Sequence, residues 1–285
     1  MSSNRLYATG KLAGRALNYV GLGLLAIFFV FPFWWMFTSA FKTPIDIFEF
    51  PPPLLPHTWN WSNFSTVFTF QPFAQQYFNS IYIALIVTSL NLLISSLAGY
   101  SFARIKFAGS SVIFIVLLSA LMMPAEVTIV PNYIFMKTLG LSNSQLPLIL
   151  LPIFGGNGIV TTFMMRQFFL ALPNELEDAA RMDGLGRWGI FWKIAMPIAR
   201  PALAAVAIIT FLNVWNSFLE PFIFLSDPKL FTLPLALTNF RDDYGTPMWN
   251  VQLAATTLSI IPVLVFYIMA QRQVIESFAS SGVKG

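Results

Sequence analysis

The chain has 285 residues, of which 56% are hydrophobic and only 10% charged, with a formal net charge of +4. Soluble domains carry about 25% charged residues, so this composition excludes a water-soluble globular protein and places the chain in a bilayer. Cysteine is absent, which excludes disulfides and thiolate metal sites. The basic residues follow apolar runs rather than forming a nucleic-acid patch.

Arg5, Lys11 and Arg15 precede an uncharged run from Ala16 to Phe41. A secretory apolar segment spans only about 7–15 residues, so this longer run predicts an uncleaved first span over residues 17–38. Residues 42–78 leave the membrane, because Pro51-Pro52-Pro53 and Pro56 forbid a continuous helix. His57, Trp59 and Trp61 fall there and fit a loop on the headgroup surface. His57 is the only histidine and has no acid or thiol at ligand spacing, so it is expected to be a surface residue and no metal site is predicted.

Asn79-Ser80-Ile81 opens a second span over residues 80–102, ended by Arg104 and Lys106. A third is expected over residues 110–131, with Met122 to Pro131 breaking helical hydrogen bonding twice before a surface or re-entrant helix reaches Lys137. The fourth covers residues 146–165 and closes at Arg166; Gly155, Gly156 and Gly158 within it permit close approach of another helix. The fifth covers residues 201–219. An external loop with Asp227, Lys229, Arg241, Asp242, Asp243 and Trp249 follows, with Glu220 expected to pair with Arg241 or another external charge. The sixth covers residues 251–270, kinked at Pro262. With the N-terminus inside, only Lys42, Lys137, Lys229 and Arg241 of the 16 Lys and Arg residues lie outside. That bias predicts six helices, N-in and C-in. No internal repeat is visible, and the chain reads as one all-α membrane domain, residues 1–285.

One polar interruption, residues 173–197, stands apart. Four of the 12 acidic residues fall in it: Glu175, Glu177, Asp178 and Asp183. Ionised groups at this density cannot lie in hydrocarbon. The pattern predicts two short helices meeting at a turn. Asn174 is placed to cap the first, with Glu177 completing a capping box. Leu176, Ala179, Ala180 and Asp183 share a small face, and Gly184 supplies the left-handed stop. Trp188, Phe191, Trp192 and Lys193 in the second helix suit a membrane surface.

The series Asp178-Ala179-Ala180, three residues, Gly184, nine residues, Ile194-Ala195-Met196-Pro197 resembles the EAA loop of ABC importer permeases, with Asp for Glu and Met for Leu. The resemblance implies a type I importer permease fold and a coupling helix that docks on a cytoplasmic ATPase through Glu175, Glu177, Asp178, Ala179, Ala180, Asp183, Gly184, Ile194 and Pro197. The bland alternative is an ordinary amphipathic connecting loop. Ser39-Ala40-Phe41-Lys42, Asn79-Ser80-Ile81, Ala98 to Arg104, Trp215-Asn216-Ser217-Phe218 and the closing Gly282-Val283-Lys284-Gly285 are similar to the carbohydrate-uptake permeases, in particular the smaller, maltose-type second subunit. That likeness implies a second permease, an ATPase dimer, an extracytoplasmic substrate-binding protein and a multi-pass place in a prokaryotic inner membrane. The tail from Ser280 is expected to reach the ATPase.

No phosphate loop, His-Glu-x-x-His or Gly-x-Ser-x-Gly motif occurs. The chain is therefore expected to hold no catalytic site and no cofactor of its own, with ATP and Mg on the partner subunits. Asn213, Trp215 and Asn216 are candidates for the substrate path, because amides and an indole in an apolar span can bond hydroxyls and stack on a sugar ring. The same residues would also serve as interhelical glue. A secondary carrier or channel needing no ATPase is the competing class. It is disfavoured because Glu126 and Glu220 sit near span ends rather than at mid-depth.

Overall fold

The computed structural model describes residues 2–281, which are helical apart from turns and one isolated antiparallel bridge between Arg241 and Pro247. The expected tail residues 282–285 lie outside the described residues. In chain order come α1 (Ser2–Ser39), α2 (Pro44–Phe48), α3 (Ser62–Phe70), α4 (Phe73–Arg104), α5 (Ser110–Ala120), α6 (Ala125–Thr138), α7 (Leu146–Phe154) and α8 (Gly156–Ala171). Then follow α9 (Asn174–Met182), α10 (Arg187–Ile190), a π-helical turn (Phe191–Ala195), α11 (Met196–Ile198), α12 (Arg200–Trp215), α13 (Leu219–Phe224), α14 (Leu233–Leu237) and α15 (Trp249–Ser281).

Among the described residues, four stretches are long and apolar enough to cross a bilayer: Leu17–Ser39, Phe73–Arg104, Leu146–Ala171 and Trp249–Met269. A fifth arises if Arg187–Ile198 and Arg200–Trp215, bent by 75°, count as one. The expected third span is not a single helix. α5 ends at Ala120 and the chain turns through Leu121–Met123 before Pro124, which lacks a donor and disfavours helix in the residue before it. The second expected break is absent, since Pro131 lies inside α6. It removes one ladder bond there without ending the helix.

The chain divides into two compact units. The first comprises residues 1–70 and 240–258. In it the apolar window of α1 is wholly unburied, as a lipid-facing helix requires, while Thr38 to Lys42 beyond it are buried. Asn63 holds this corner: its Nδ2 donates to the carbonyls of Ala40 and Lys42, both at 2.9 Å, and its Oδ1 accepts from Asn250 at 2.7 Å. The Phe41 ring lies within 5.0 Å of the rings of Trp59, Trp61 and Phe64, centroid to centroid. Lys42 Nζ donates to Pro53 O at 2.7 Å and sits 3.7 Å from the centre of the Trp35 ring. Burial lowers its pKa, against the pull of the Asp46 carboxylate.

His57 is exposed, as expected of a surface residue, but the turn closed by that lysine brings acids to it that linear spacing did not place there. Its Nε2 lies 3.0 Å from Glu49 Oε2, and ligand atoms of Asp46, Glu49 and His57 all fall within 4.8 Å of one another. Linear spacing hid this because the reversal at Pro51–Pro53, not a helical or strand period, brings them together.

The second unit comprises residues 71–239 and 259–285. α4 begins at Phe73, earlier than expected, so Asn79 and Ser80 lie inside it. There they bond the 228–233 segment: Asn79 Nδ2 donates to Lys229 O and Phe231 O at 2.8 and 3.0 Å, and Ser80 Oγ accepts from Leu233 N at 2.7 Å. Gln76 and Gln145 donate to Pro228 O and Leu230 O. Beneath this lies one apolar cluster around Ile83, Val87, Leu148, Ile153 and Phe224. A second gathers Tyr100, Met165, Phe169, Phe191, Ala195, Ala199 and Val206.

The role expected of Gly155, Gly156 and Gly158 is also corrected. Gly155 breaks the span between α7 and α8, and a Cβ on Gly155 or Gly158 would strike the chain's own Leu151 O or Ile153 O. The glycine that lets two helices touch is Gly99 of α4, where a Cβ would meet Met165 Cβ of α8 at 2.7 Å and Arg166 N at 2.8 Å.

Candidate functional site

The polar interruption folds as the two expected helices, α9 and the Arg187–Ile198 helix. α9 ends in a Schellman turn: Leu185 N donates to Ala180 O and Gly184 N to Arg181 O, both at 3.0 Å, and Gly184 has φ +83°. A Cβ there would meet nothing within 4 Å. Glycine is therefore required by backbone conformation, not by space.

The start of α9 differs from expectation. Pro173 precedes the first helical residue, Asn174, and no side chain caps the helix. The Asn174 oxygen is instead taken by the Arg104 guanidinium, which also donates to Leu172 O. Arg104 is the last residue of α4, where a cation suits the negative end of the helix dipole. Its Nε lies 3.3 Å from Glu177 Oε1, and the two side chains are 9% and 11% exposed. Glu177 also receives Tyr100 Oη–H at 3.4 Å and Arg181 at 3.3 Å, while Arg181 reaches Asp178 at 3.0 Å. A buried carboxylate needs such partners. Glu177 thus faces α4 and not solvent.

The expected small face is split. Ala180 turns inward beside Glu177, whereas Glu175, Leu176, Asp178, Ala179, Asp183 and Gly184 are exposed. Met182 is 89% exposed on this outer side. It was not among the residues expected from the motif, although its place three residues after Ala179 puts it on the same face. Arg104 and Tyr100 were likewise missed as members of the site, since only folding brings the end of α4 to α9.

Phe191, Ala195 and Ala199 pack inward under this platform; Tyr100 meets Phe169 and Phe191 with ring centroids 5.4 and 5.2 Å apart. The π-helical turn lies at Phe191–Ala195 and includes half-buried Ile194. Exposed Pro197 follows, and the chain bends 75° at Ala199 before Pro201 in the first turn of α12. Prolines at 197 and 201 remove two helical donors around that bend. α9 is therefore joined to α4 by the Arg104–Glu177 contact and to α12 through this bent joint.

The three candidate path residues are not equivalent. Asn213 is exposed on α12 and its Nδ2 donates to Asn157 Oδ1 at 3.2 Å, beside the helix break at Gly155. Trp215 is buried, stacked on Phe211 with centroids 5.6 Å apart. Asn216, past the end of α12, donates to Leu212 O at 2.9 Å. A buried polar set lies nearby, with Thr161 Oγ1 donating to Asn91 Oδ1 at 2.7 Å and Asn91 Nδ2 reaching Thr210 Oγ1 at 3.5 Å. Glu220 accepts from Ser217 Oγ, and Arg241 donates to Gly245 O.

Residues 91–276 match the family model described as binding-protein-dependent transport system inner membrane component. The chain is 35% identical over 273 residues to the arabinooligosaccharides transport system permease protein AraQ of Halalkalibacterium halodurans, covering 93% of this chain and 95% of that protein. It is 34% identical over 272 residues to the probable ABC transporter permease protein YurM of Bacillus subtilis, covering 95% and 89% of the two. A further relative is the sn-glycerol-3-phosphate transport system permease protein UgpE of Yersinia enterocolitica, 31% identical over 91% of this chain and 93% of that protein. Among solved structures, a bacterial ABC transporter involved in import of the acidic polysaccharide alginate superposes with a TM-score of 0.77 at 22% identity, over 95% of this chain and 98% of that one.

Proposed function

The chain belongs to the family of inner membrane components of binding-protein-dependent transport systems, and from that premise we propose how it works. It is a permease subunit of an ABC importer and carries no ATPase site of its own. We read its cargo as a sugar or oligosaccharide, or a related polyol, because the relatives named for arabinooligosaccharides and glycerol phosphate match nearly the whole chain. In this reading all 285 residues serve as one permease domain. It pairs with a second permease, an ATPase dimer that holds ATP and Mg, and an extracytoplasmic binding protein, in a prokaryotic inner membrane. Six crossings, N-in and C-in, follow from the Lys and Arg distribution. The 11 residues of α5 are shorter than the roughly 20 needed to span hydrocarbon, so that crossing is completed with α6.

The observation that carries the coupling role is the two-sidedness of α9. Its inner side is fastened to Arg104 by the buried Glu177, and its outer side presents Leu176, Ala179, Met182 and Asp183 to solvent. A free outer face with a fixed inner one is what a lever between a motor and the spans requires. ATP binding would draw two such helices together and switch the spans between inward- and outward-facing arrangements.

The test is reconstitution in vesicles with the second permease, ATPase and binding protein. ATP-dependent sugar uptake is expected from the full set and none from this chain alone. Met182→Glu should sharply reduce ATPase co-purification while the two permeases still associate. Uptake by the lone chain, or an unaltered complex with Met182→Glu, would overturn the assignment.

A further inference from the structure

We infer that Asp46, Glu49 and His57 form a binding site for a zinc-like divalent cation on the turn between α1 and α3. Two carboxylates and one imidazole offer ligand atoms that all lie within 4.8 Å of one another. Three protein ligands with room for water in a fourth position suit a tetrahedral zinc-class ion. Calcium and magnesium favour all-oxygen shells of six or more, and the imidazole argues against them.

The three groups are placed by contacts independent of any ion. Asp46 is fixed at the start of α2 by reciprocal bonds with Thr43: Thr43 N donates to Asp46 Oδ2, and Asp46 N donates to Thr43 Oγ1, both at 3.3 Å. The far side of the turn is fixed by Lys42 Nζ on Pro53 O at 2.7 Å. Glu49 and His57 already touch at 3.0 Å.

Beyond the Glu49–His57 pair, the capping bond from Thr43 N to Oδ2 is the one hydrogen bond that the Asp46 carboxylate accepts among the described residues. Asp46 is only 9% exposed, yet among the described residues no cationic nitrogen lies within 4.0 Å of its carboxylate. Buried carboxylates are ordinarily paired or metal-bound. Lys42 attracts Asp46, but its ammonium is committed to Pro53 O and the Trp35 face. A dication would satisfy Asp46 and neutralise Glu49 beside it. It would also tie α2 to the segment beyond the prolines, stiffening the turn.

The sequence makes the test clean, because His57 is the only histidine and cysteine is absent. The full chain would be co-purified with its partner subunits, freed of tags, stripped with chelator and titrated with Zn²⁺ against a chromophoric chelator. Wild type should hold one more ion per chain than H57Q, and E49Q should weaken that ion by at least about tenfold. Equal zinc content in wild type and H57Q would overturn the site. Should H57Q fail to assemble, H57C decides: titrated with Co²⁺, its thiolate should give a charge-transfer band absent from wild type, and lack of that band would overturn the proposal.

Discussion

Arg104 Nε lies 3.3 Å from Glu177 Oε1, joining the end of α4 to the inner side of α9 with both side chains largely buried. The same guanidinium also reaches Leu172 O and Asn174 Oδ1, so one planar fork gathers the whole entry to α9. Lysine, with a point charge on a flexible stem, could not bond both oxygens and face the Glu177 carboxylate with one planar group.

Glu177→Gln should leave Arg104 buried without its counter-charge, and loss of one partner of a buried pair costs about 3 kcal/mol. Arg104→Lys should be nearly as harmful. Thermal unfolding of the assembled complex and binding-protein-stimulated ATP hydrolysis would be measured together. Expected are a lower melting temperature and weakened stimulation for both, with the double variant E177Q/R104K less impaired than the sum of the singles. Strict additivity would show that the contact transmits nothing.

Gly184→Val should uncouple ATP hydrolysis from uptake or release the ATPase, since Gly184 has φ +83°. Left-handed backbone costs a side-chain-bearing residue about 1–2 kcal/mol. Open space around the position means that Gly184→Asn, which tolerates that conformation, should retain most function. Asp178→Asn should be milder than Gly184→Val, because Asp178 is exposed and its ion-pair partner among the described residues is Arg181 on the same helix. Wild-type behaviour of Gly184→Val in ATPase co-purification and stimulated hydrolysis would refute the coupling-helix reading.

Gly99→Ala adds a carbon 2.7 Å from Met165 Cβ and 2.8 Å from the Arg166 backbone nitrogen. Backbone cannot step aside as a side-chain tip can, and overpacking of this kind costs about 1–3 kcal/mol. The expected result is a depressed melting temperature and poor yield of the complex. Gly156→Ala should do neither, as nothing lies within 4 Å of its Cβ position. Equal behaviour of the two variants would count against close α4–α8 packing.

Asn213→Ala should raise the KM for sugar uptake by several-fold while binding-protein-stimulated hydrolysis stays near normal, if its exposed amide bonds substrate hydroxyls. Trp215→Phe should alter stability more than KM, since its ring is packed on Phe211. Unchanged KM with Asn213→Ala would assign that residue to helix association through Asn157 alone.

The sequence by itself determined the membrane class, the helical content and the position and stop of α9. These depend on local quantities: run length of apolar residues, charge density, and a glycine where the backbone turns left-handed. The family resemblance was also legible, because the Asp178-to-Pro197 spacing lies within one continuous segment. Tertiary structure decided what each residue faces. Glu177 and Asp178 are neighbouring acids with similar local chemistry, yet one is buried against Arg104 and the other exposed. Gly99 and Gly158 are both glycines in apolar helices, yet one meets another helix and the other its own broken backbone. Asp46, Glu49 and His57 meet only because the turn closes through Lys42 and Pro53. Periodicity reports direction around one element, whereas burial and partnership depend on elements distant in the chain.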